Sequence, residues 1–448
     1  MYDLIVIGAG PGGYEAAAHA GRMGKKVALV ERERLGGTCL NVGCIPAKIF
    51  LRSSRLLREC RQAERFGVRV ASAGLDLPAV IARKNRIVGT LTKGVEGLLK
   101  RSAVETIAGH ARLVARNAVE VNGTRYEAAN ILIATGSRPA VPPIPGIRSD
   151  RVFDSNSVFG MAEVPENVAI IGGGYIGLEF ACFFHEAGAR VTVYEMLPQV
   201  AAGCDADISR RLLDILSRGG IGFHLSCRVT EIAEGAVHFT DSNGAQSSAP
   251  AACVINATGR VPVVDDLGLE AAGVDFNAKG IRTSAQGKTS VPGIWACGDV
   301  TGRRMLAHAA TREGIVAVNN MFGGKDRIRY EAVPAVIYTH PEVASVGRTE
   351  EELKTLGVEY RKAMVPMAVA GRFLVENEGV PGIIKVLTGA KYCEILGVHA
   401  IGDSSSEFIV AAAAMIETEM RAADAGGIVF PHPTVSEALR EAILATVH

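Results

Sequence analysis

The stretch YDLIVIGAGPGGYEAAAHAGRMGKKVALVE (2–31) returns, altered in detail, as NVAIIGGGYIGLEFACFFHEAGARVTVYE (167–195). Each copy reads as an apolar strand, a G-x-G-x-x-G turn, a helix, a second strand and an acidic residue. The first glycine and the acid are 23 positions apart in both. Gly8 and Gly172 permit the tight turn, and Gly10 and Gly174 let a pyrophosphate approach the backbone. Gly13 and Gly177 allow the helix to pack closely on the strand, with its N-terminus facing the phosphates. Glu31 and Glu195 are placed to accept hydrogen bonds from an adenosine ribose. One glycine-rich turn is a weak signal, but two copies in register predict an α/β chain with two Rossmann-like dinucleotide-binding domains.

The repeat continues through ILIATGSRP (131–139) and VINATGRVP (254–262), two short β runs that include Ala-Thr-Gly. From the acid to that threonine is 104 positions in the first copy (Glu31 to Thr135) and 63 in the second (Glu195 to Thr258). The excess of 41 in the first copy accommodates a cysteine-bearing helix and a second helical stretch near 78–101. That asymmetry suggests two different dinucleotides. Glu195 would repel a 2′-phosphate and no Arg follows in EMLPQV, so the second unit is expected to prefer NAD(H) to NADP(H). GIWACGDV (293–300), with Asp299 at a strand end, resumes the first unit after the second has closed. One domain interrupted by another explains this order and leaves a third domain from about residue 336.

The insert contains GGTCLNVGCIPAK (36–48). Cys39 and Cys44 read as a redox pair beside a nucleotide site. Pro46 suits the first turn of a helix running through AKIFLRSSRLLRECRQA, which puts Cys44 at the positive helix end and favours its thiolate. Lys48, four residues on, shares that face. A static disulfide is the bland alternative. Half of a zinc site is disfavoured because no second Cys or His pair has metal-ligand spacing, so no metal is expected. The other cysteines (60, 182, 204, 227, 253, 297 and 393) are scattered and read as small buried hydrophobes.

The 448 residues exceed one ordinary domain, and Lys+Arg 48 against Asp+Glu 47 leaves a formal charge of +1. This balance gives no electrostatic reason to expect nucleic acid or a membrane surface as partner. MYDLIVIGAG runs straight into a strand and a turn, with no signal-peptide pattern, and the most apolar stretch (168–184) is broken by glycines and Glu179. A cytoplasmic location is expected. Near the C-terminus, FPHPTVSEALREAILATVH (430–448) fixes His432 between two prolines, with Glu437 five residues on. An acid–base histidine held by a carboxylate is one reading. Thr434-x-x-Glu437 as a capping box is the other, and the local pattern leaves them level. His308 and His340 read as structural, and FIVAAAAMI (408–416) as core or subunit interface.

Taken in order, GAGPGG, GGTCLNVGCIPAK, ATGSRP, GGGYIGLE, ACGDV, YTHPEVASVG and HPTVSE resemble the two-cysteine flavoprotein disulfide reductases, the class I pyridine nucleotide–disulfide oxidoreductases. The resemblance spans essentially the whole chain and is greatest to the dihydrolipoamide dehydrogenase branch. It implies an FAD-binding domain (1–148), an inserted NAD-binding domain (149–264), a central segment completing the first (265–335) and a C-terminal α+β dimerisation domain (336–448). It also implies roles. Cys39 matches the interchange thiol and Cys44 the thiol against the flavin. Lys48 and Glu179 match an ion pair beside the flavin ring, and His432 and Glu437 an acid–base pair supplied by the partner subunit of a homodimer. FAD contacts carry over to Glu31, Thr38, Lys48, Gly109, Thr135, Gly136, Asp299, Met305, Leu306, Ala307 and His308, and NAD contacts to Glu195 and Gly259.

The implied activity is oxidation of protein-bound dihydrolipoamide with NAD⁺. The carrier would be the lipoyl protein of a 2-oxoacid dehydrogenase or glycine-cleavage complex, and a separate chain, since no lipoyl domain precedes the first strand. The alternatives are an NADH-dependent reductase of another disulfide, or a non-catalytic flavoprotein subunit. The chain departs from the branch at Phe430, where a histidine is common, at Val263 in place of asparagine, and across VAGRFLVENEG (369–379).

Overall fold

The computed structural model describes residues 1–447. Strand Tyr2–Ile7 lies inside the first sheet, with Leu4, Ile5 and Val6 fully buried. A continuous apolar run of this kind belongs to a parallel sheet covered on both faces. Val27–Glu31 and Thr124–Ile133 flank it in parallel, and Val104–Ala108 lies beyond the former. The fifth parallel strand, Ile294–Ala296, joins Thr124–Ile133 from far along the chain. The polypeptide therefore leaves this sheet, builds another and returns to complete the first.

The second sheet has the same order: Gly222–His224, Arg190–Tyr194, Asn167–Ile171, Cys253–Asn256 and Val152–Asp154, all parallel. Each unit also carries a three-stranded antiparallel layer. In the first it is Ala111–Ala115, Ala118–Val121 and the start of Thr124–Ile133; in the second, Arg228–Ala233, Ala236–Thr240 and Gln246–Pro250. The duplication is thus structural as well as sequential. The copies meet just after their Ala-Thr-Gly stretches, where Ser137–Pro139 pairs antiparallel with Arg260–Pro262.

Residues 335–401 form a five-stranded antiparallel sheet in the order Ala335–Ile337, Val343–Gly347, Ile395–Ile401, Ile383–Gly389, Tyr360–Pro366. Helices Ser405–Glu417 and Glu437–Leu444 pack on it through Phe408, Ile409, Met415, Leu439 and Ile443. The alanine-rich run forms the first of these, burying Phe408 and Ile409 while Val410 stays 65 % exposed. No helix among the described residues is long and apolar enough to cross a membrane, and no group of three or more potential ligand side chains among them could hold a metal ion.

The cysteine helix, Cys44–Arg61, is locked to the second unit by aromatic packing. Phe50 meets Phe159 edge-on at 5.2 Å and Phe183 at 5.0 Å, within a core that also takes in Ile337, Val343 and Ile401 of the C-terminal sheet. One apolar cluster thus fixes the disulfide helix against all three units. Of the seven cysteines expected to be buried, five are; Cys60 and Cys393 are half-exposed because they sit on a helix flank and in a turn.

A buried ion cluster joins the second unit to the C-terminal one. Lys385 is fully buried, and its ammonium lies 2.8 Å from Asp205, 2.8 Å from Asp207 and 2.6 Å from Glu350. Burial alone would raise the Asp205 and Glu350 carboxyls, but the hydrogen bonds from Lys385 outweigh it and hold both below the ordinary carboxylate range. Their stabilisation is therefore complete above about pH 5 and is lost as pH falls through those depressed values. Lys385→Met leaves fully buried Asp205 without its counter-charge. It is expected to destabilise the protein by about 3–5 kcal/mol, read as a lower urea midpoint at pH 7; an unchanged midpoint would make the cluster dispensable.

Candidate active site

The first turn shows why its glycines are needed. Gly8 has φ +99°, and a Cβ there would stand 2.5 Å from the Ala134 carbonyl oxygen; a Cβ on Gly13 would strike the carbonyl of Gly8. Around Gly10 nothing lies within 4 Å of where a Cβ would be, so the backbone is open to a ligand. The second turn repeats this: Gly172 has φ +110°, a Cβ on Gly177 would strike the Gly172 carbonyl, and Gly174 is open. Even the acids match. Glu31 accepts the N–H groups of Ala9 (2.7 Å) and Glu33 (2.8 Å), while Glu195 accepts those of Gly173 (2.6 Å) and Leu197 (2.7 Å). Each carboxylate closes its own loop and keeps lone pairs for a ribose.

A cavity of about 830 Å³ runs from the first turn to the disulfide. Its wall carries Gly8, Gly10, Glu31, Thr38, Cys39, Cys44, Lys48, Gly109, Thr135, Gly136, Glu179, Asp299, Met305, Leu306 and Ala307. Gly13 lies beneath the turn rather than on the wall. His308 also falls outside it, with its ring on the Pro334 carbonyl at 2.7 Å. Gly172, Gly174 and Gly177 of the second turn, Glu195 after strand Arg190–Tyr194 and Gly259 after strand Cys253–Asn256 belong to the second unit and lie outside this cavity. The helix that the second turn opens, Tyr175–Glu186, sends Tyr175 and Glu179 into the cavity wall, so the two sites share an element. An elongated cleft with an open glycine turn at one end and a disulfide at the other fits an FAD, and the second turn fits an NAD.

Cys39 and Cys44 are disulfide-bonded, with Cα atoms 4.6 Å apart. Cys39 lies in helix Gly37–Val42 and Cys44 is the first residue of the next, with Pro46 in that helix's first turn. Lys48 donates to both oxygens of Glu179 at 3.0 and 2.9 Å. Two features of this pair escape a reading of the sequence: the Tyr338 N–H also binds Glu179 (3.0 Å), and Lys48 sits 4.2 Å over the Tyr338 ring. Asp299 accepts from the Ser137 hydroxyl at 2.5 Å, and burial raises its carboxyl above the ordinary value. The Thr135 hydroxyl donates to the carbonyl of Val263, whose side chain lines the cavity where asparagine is usual in the family.

At the other end of the chain, His432 Nδ1 lies 2.9 Å from Glu437 Oε1, while Glu437 Oε2 accepts the Thr434 N–H at 2.9 Å. A carboxylate can only accept here, so Nδ1 carries the proton and Nε2 presents a lone pair. Thr434 and then His432 hold the Glu437 carboxyl below its ordinary value. The reciprocal capping box does not form, because the Thr434 hydroxyl turns to the Pro431 carbonyl (2.8 Å) and the helix starts at Glu437 behind Ser436. Glu437 thus keeps half of a cap and orients the histidine with the other oxygen. The His432 side chain is 78 % exposed and absent from the cavity wall of its own subunit. Phe430 packs on the C-terminal core. Segment 369–379 meets Arg65, in the turn that follows the cysteine helix, through the Glu378 carbonyl. That helix rises about 26 Å from Cys44 to Arg61 at 1.5 Å per residue, so the contact lies at its cavity-remote end.

Comparison with known proteins agrees with this geometry. Over 99 % of its length the chain is 42 % identical to dihydrolipoyl dehydrogenase 3 of Pseudomonas aeruginosa, covering 97 % of that protein. It is 37 % identical to the mitochondrial dihydrolipoyl dehydrogenase 1 of Arabidopsis thaliana, covering 99 % of this chain and 90 % of that protein. Among solved structures, LpdA of Mycobacterium tuberculosis superposes with TM-score 0.91 at 25 % identity over 99 % of each chain. The HOCl-induced flavoprotein disulfide reductase RclA of Escherichia coli does so with TM-score 0.86 at 28 %, also over 99 % of each. The dimerisation-domain model of the pyridine nucleotide-disulphide oxidoreductases matches residues 333–443. Their main model matches residues 2–314, both nucleotide units and the disulfide included, and the chain belongs to that family.

Proposed function

We propose that this protein is a dihydrolipoamide dehydrogenase: a homodimer that uses FAD and NAD⁺ to reoxidise the dihydrolipoyl group of a carrier protein in a 2-oxoacid dehydrogenase or glycine-cleavage complex. The observation that carries the reading is one cavity with a dinucleotide turn at one end and the Cys39–Cys44 disulfide at the other. The relatives named dihydrolipoyl dehydrogenase, similar over nearly the whole chain, support it. Seven unpaired cysteines suit the reducing cytoplasm.

The partner subunit's His432 takes a proton at Nε2 from one substrate thiol, and Glu437 stabilises the resulting imidazolium. The thiolate attacks Sγ of Cys39, the Cys39–Cys44 bond breaks, and Cys44 leaves as a thiolate. The helix N-terminus and the Lys48 charge favour that thiolate. The second substrate thiol then attacks the first substrate sulfur and displaces Cys39. Its own proton passes to the leaving Cys39 sulfur, the first proton stays on the His432 imidazolium, and the substrate leaves as a cyclic disulfide. FAD held in this cavity by the first glycine turn, Glu31 and Asp299 would supply a two-electron acceptor for the reduced cysteines and a hydride donor for NAD⁺ at the second turn. Glu179, held by Lys48 and the Tyr338 N–H, keeps the ammonium in place.

A steady-state assay of the holoenzyme with dihydrolipoamide and NAD⁺ tests the reading. Rapid NADH formation is expected. Absence of turnover, with a reducible disulfide intact, would transfer the protein to another disulfide substrate. In the same assay NADP⁺ should give a kcat/KM at least about 100-fold below that of NAD⁺, because a 2′-phosphate would be placed against the Glu195 carboxylate. Equal efficiency would remove Glu195 from the choice of nucleotide.

A further inference from the structure

Asp299 carries over from the family as an FAD contact, but the residues that hold it do not. Ser137 and Arg260 occupy the same step of the internal repeat, each directly after Ala-Thr-Gly, one in each dinucleotide unit. The short ribbon joining the units brings them together. Arg260 Nε donates to the Ser137 hydroxyl oxygen at 2.8 Å, and its Nη2 to the Ser137 carbonyl at 2.7 Å. Nη1 reaches the Ser155 hydroxyl at 3.2 Å. A guanidinium has only donors, so the Ser137 oxygen accepts from Arg260 and its single proton goes to Asp299 Oδ2, 2.5 Å away. Asp299 Oδ1 has no side-chain or backbone donor among the described residues. Arg260 has no carboxylate within 4 Å among them and lines the same cavity. Burial disfavours its charge and lowers the guanidinium from its ordinary value, and the negative field of Asp299, more than that of Asp154, offsets part of this.

We propose that Arg260, standing in the NAD-binding unit, is the positioning residue that aims Asp299 at FAD through Ser137. The relay sets the direction of every hydrogen bond in it and leaves Oδ1 as the carboxylate oxygen free to accept from a ligand hydroxyl. It also gives the inserted unit a hand in holding the other unit's cofactor, one residue beyond Gly259. A lysine in place of Arg260 would keep the charge but could not span the hydroxyl, the carbonyl and Ser155 at once.

The proposal rests on Asp299 contacting FAD, and its test needs no lipoyl substrate. FAD release from the holoenzyme is followed as rising flavin fluorescence after dilution. Arg260→Met and Ser137→Ala should each speed release about tenfold, the worth of one charge-assisted hydrogen bond. The double variant should release no faster than the quicker single one, because both changes cut the same relay. Arg260→Lys should fall between Arg260→Met and the wild type. Multiplying effects in the double variant, or wild-type release from Arg260→Met, would overturn the relay. Asp299→Ala separates the two claims: faster release from Asp299→Ala with no effect of Arg260→Met would sink the relay alone, whereas wild-type release from Asp299→Ala would sink the contact on which it rests.

Discussion

Replacing either Cys39 or Cys44 with serine should lower dihydrolipoamide oxidation by roughly 10³-fold or more, with FAD still bound. The two sulfurs have separate tasks, and neither task survives as a hydroxyl. In the proposed mechanism Cys39, in the short helix before the bend, is the sulfur that the substrate thiolate attacks; a serine oxygen there offers no bond for a thiolate to exchange with. Cys44, first in the helix that follows, must leave as an anion at neutral pH, which a serine hydroxyl beside the same helix end cannot do. Neither side chain anchors the packing: the aromatic contacts of Phe50 hold the cysteine helix, and the glycine turn shapes the cofactor end of the cavity. The yellow colour and the loss of flavin absorbance on adding NADH should therefore persist in both variants. Appreciable lipoamide turnover by either would remove the disulfide from the electron path.

The parts of this site legible in the sequence are those whose physics is local. A glycine turn declares itself because its three glycines fall within six residues, although the carbonyl that Gly8 must clear is that of distant Ala134, and the second copy removes the ambiguity of the first. Pro46 marks the helix start, and with it the polarity around Cys44. His432 and Glu437 are also local; the sequence leaves the glutamate divided between cap and acid–base partner, and the structure gives it both contacts, one oxygen on the Thr434 N–H and the other on the His432 ring. Lys48 and Glu179 are far apart in the chain and could be paired only through family resemblance. Nothing in YTHPEVASVG says that Tyr338 will lie over Lys48, because that contact needs the C-terminal sheet to dock on the helices of both nucleotide units. The Ser137–Arg260 contact had a usable signal, their equal place after the two Ala-Thr-Gly triplets, but reading it requires knowing that the copies meet at that step.

Lys385 is a harder case of the same kind. In IIKVLTG apolar residues fall on both faces of the strand, and nothing local says what neutralises a lysine among them. It is fully buried because Asp205 and Asp207, from another unit, come to it. Interdomain electrostatics leave no local periodicity, so the elements and the first site could be read from sequence while the joints between units could not.

His432→Gln should slow the disulfide half-reaction by about 10²–10⁴-fold, the usual worth of a positioned acid–base group. Glutamine preserves a polar side chain at the same place and can still bond Glu437, but it cannot take the substrate proton. Reduction of the bound flavin by NADH does not pass through His432, so its rate should be unchanged; a matching fall there would make the histidine structural. The exposed ring, which does not line its own subunit's cavity, also makes a stronger demand, that the site be completed across the dimer. Mixing inactive Cys39→Ser and His432→Gln subunits under exchange tests it. In a mixed dimer one site receives the intact cysteines of one subunit and the intact histidine of the other, while its twin receives both lesions. Random exchange makes half of the dimers mixed, so about a quarter of wild-type activity should return. If each subunit instead served its own disulfide, every site in the mixture would carry one lesion and no activity would reappear.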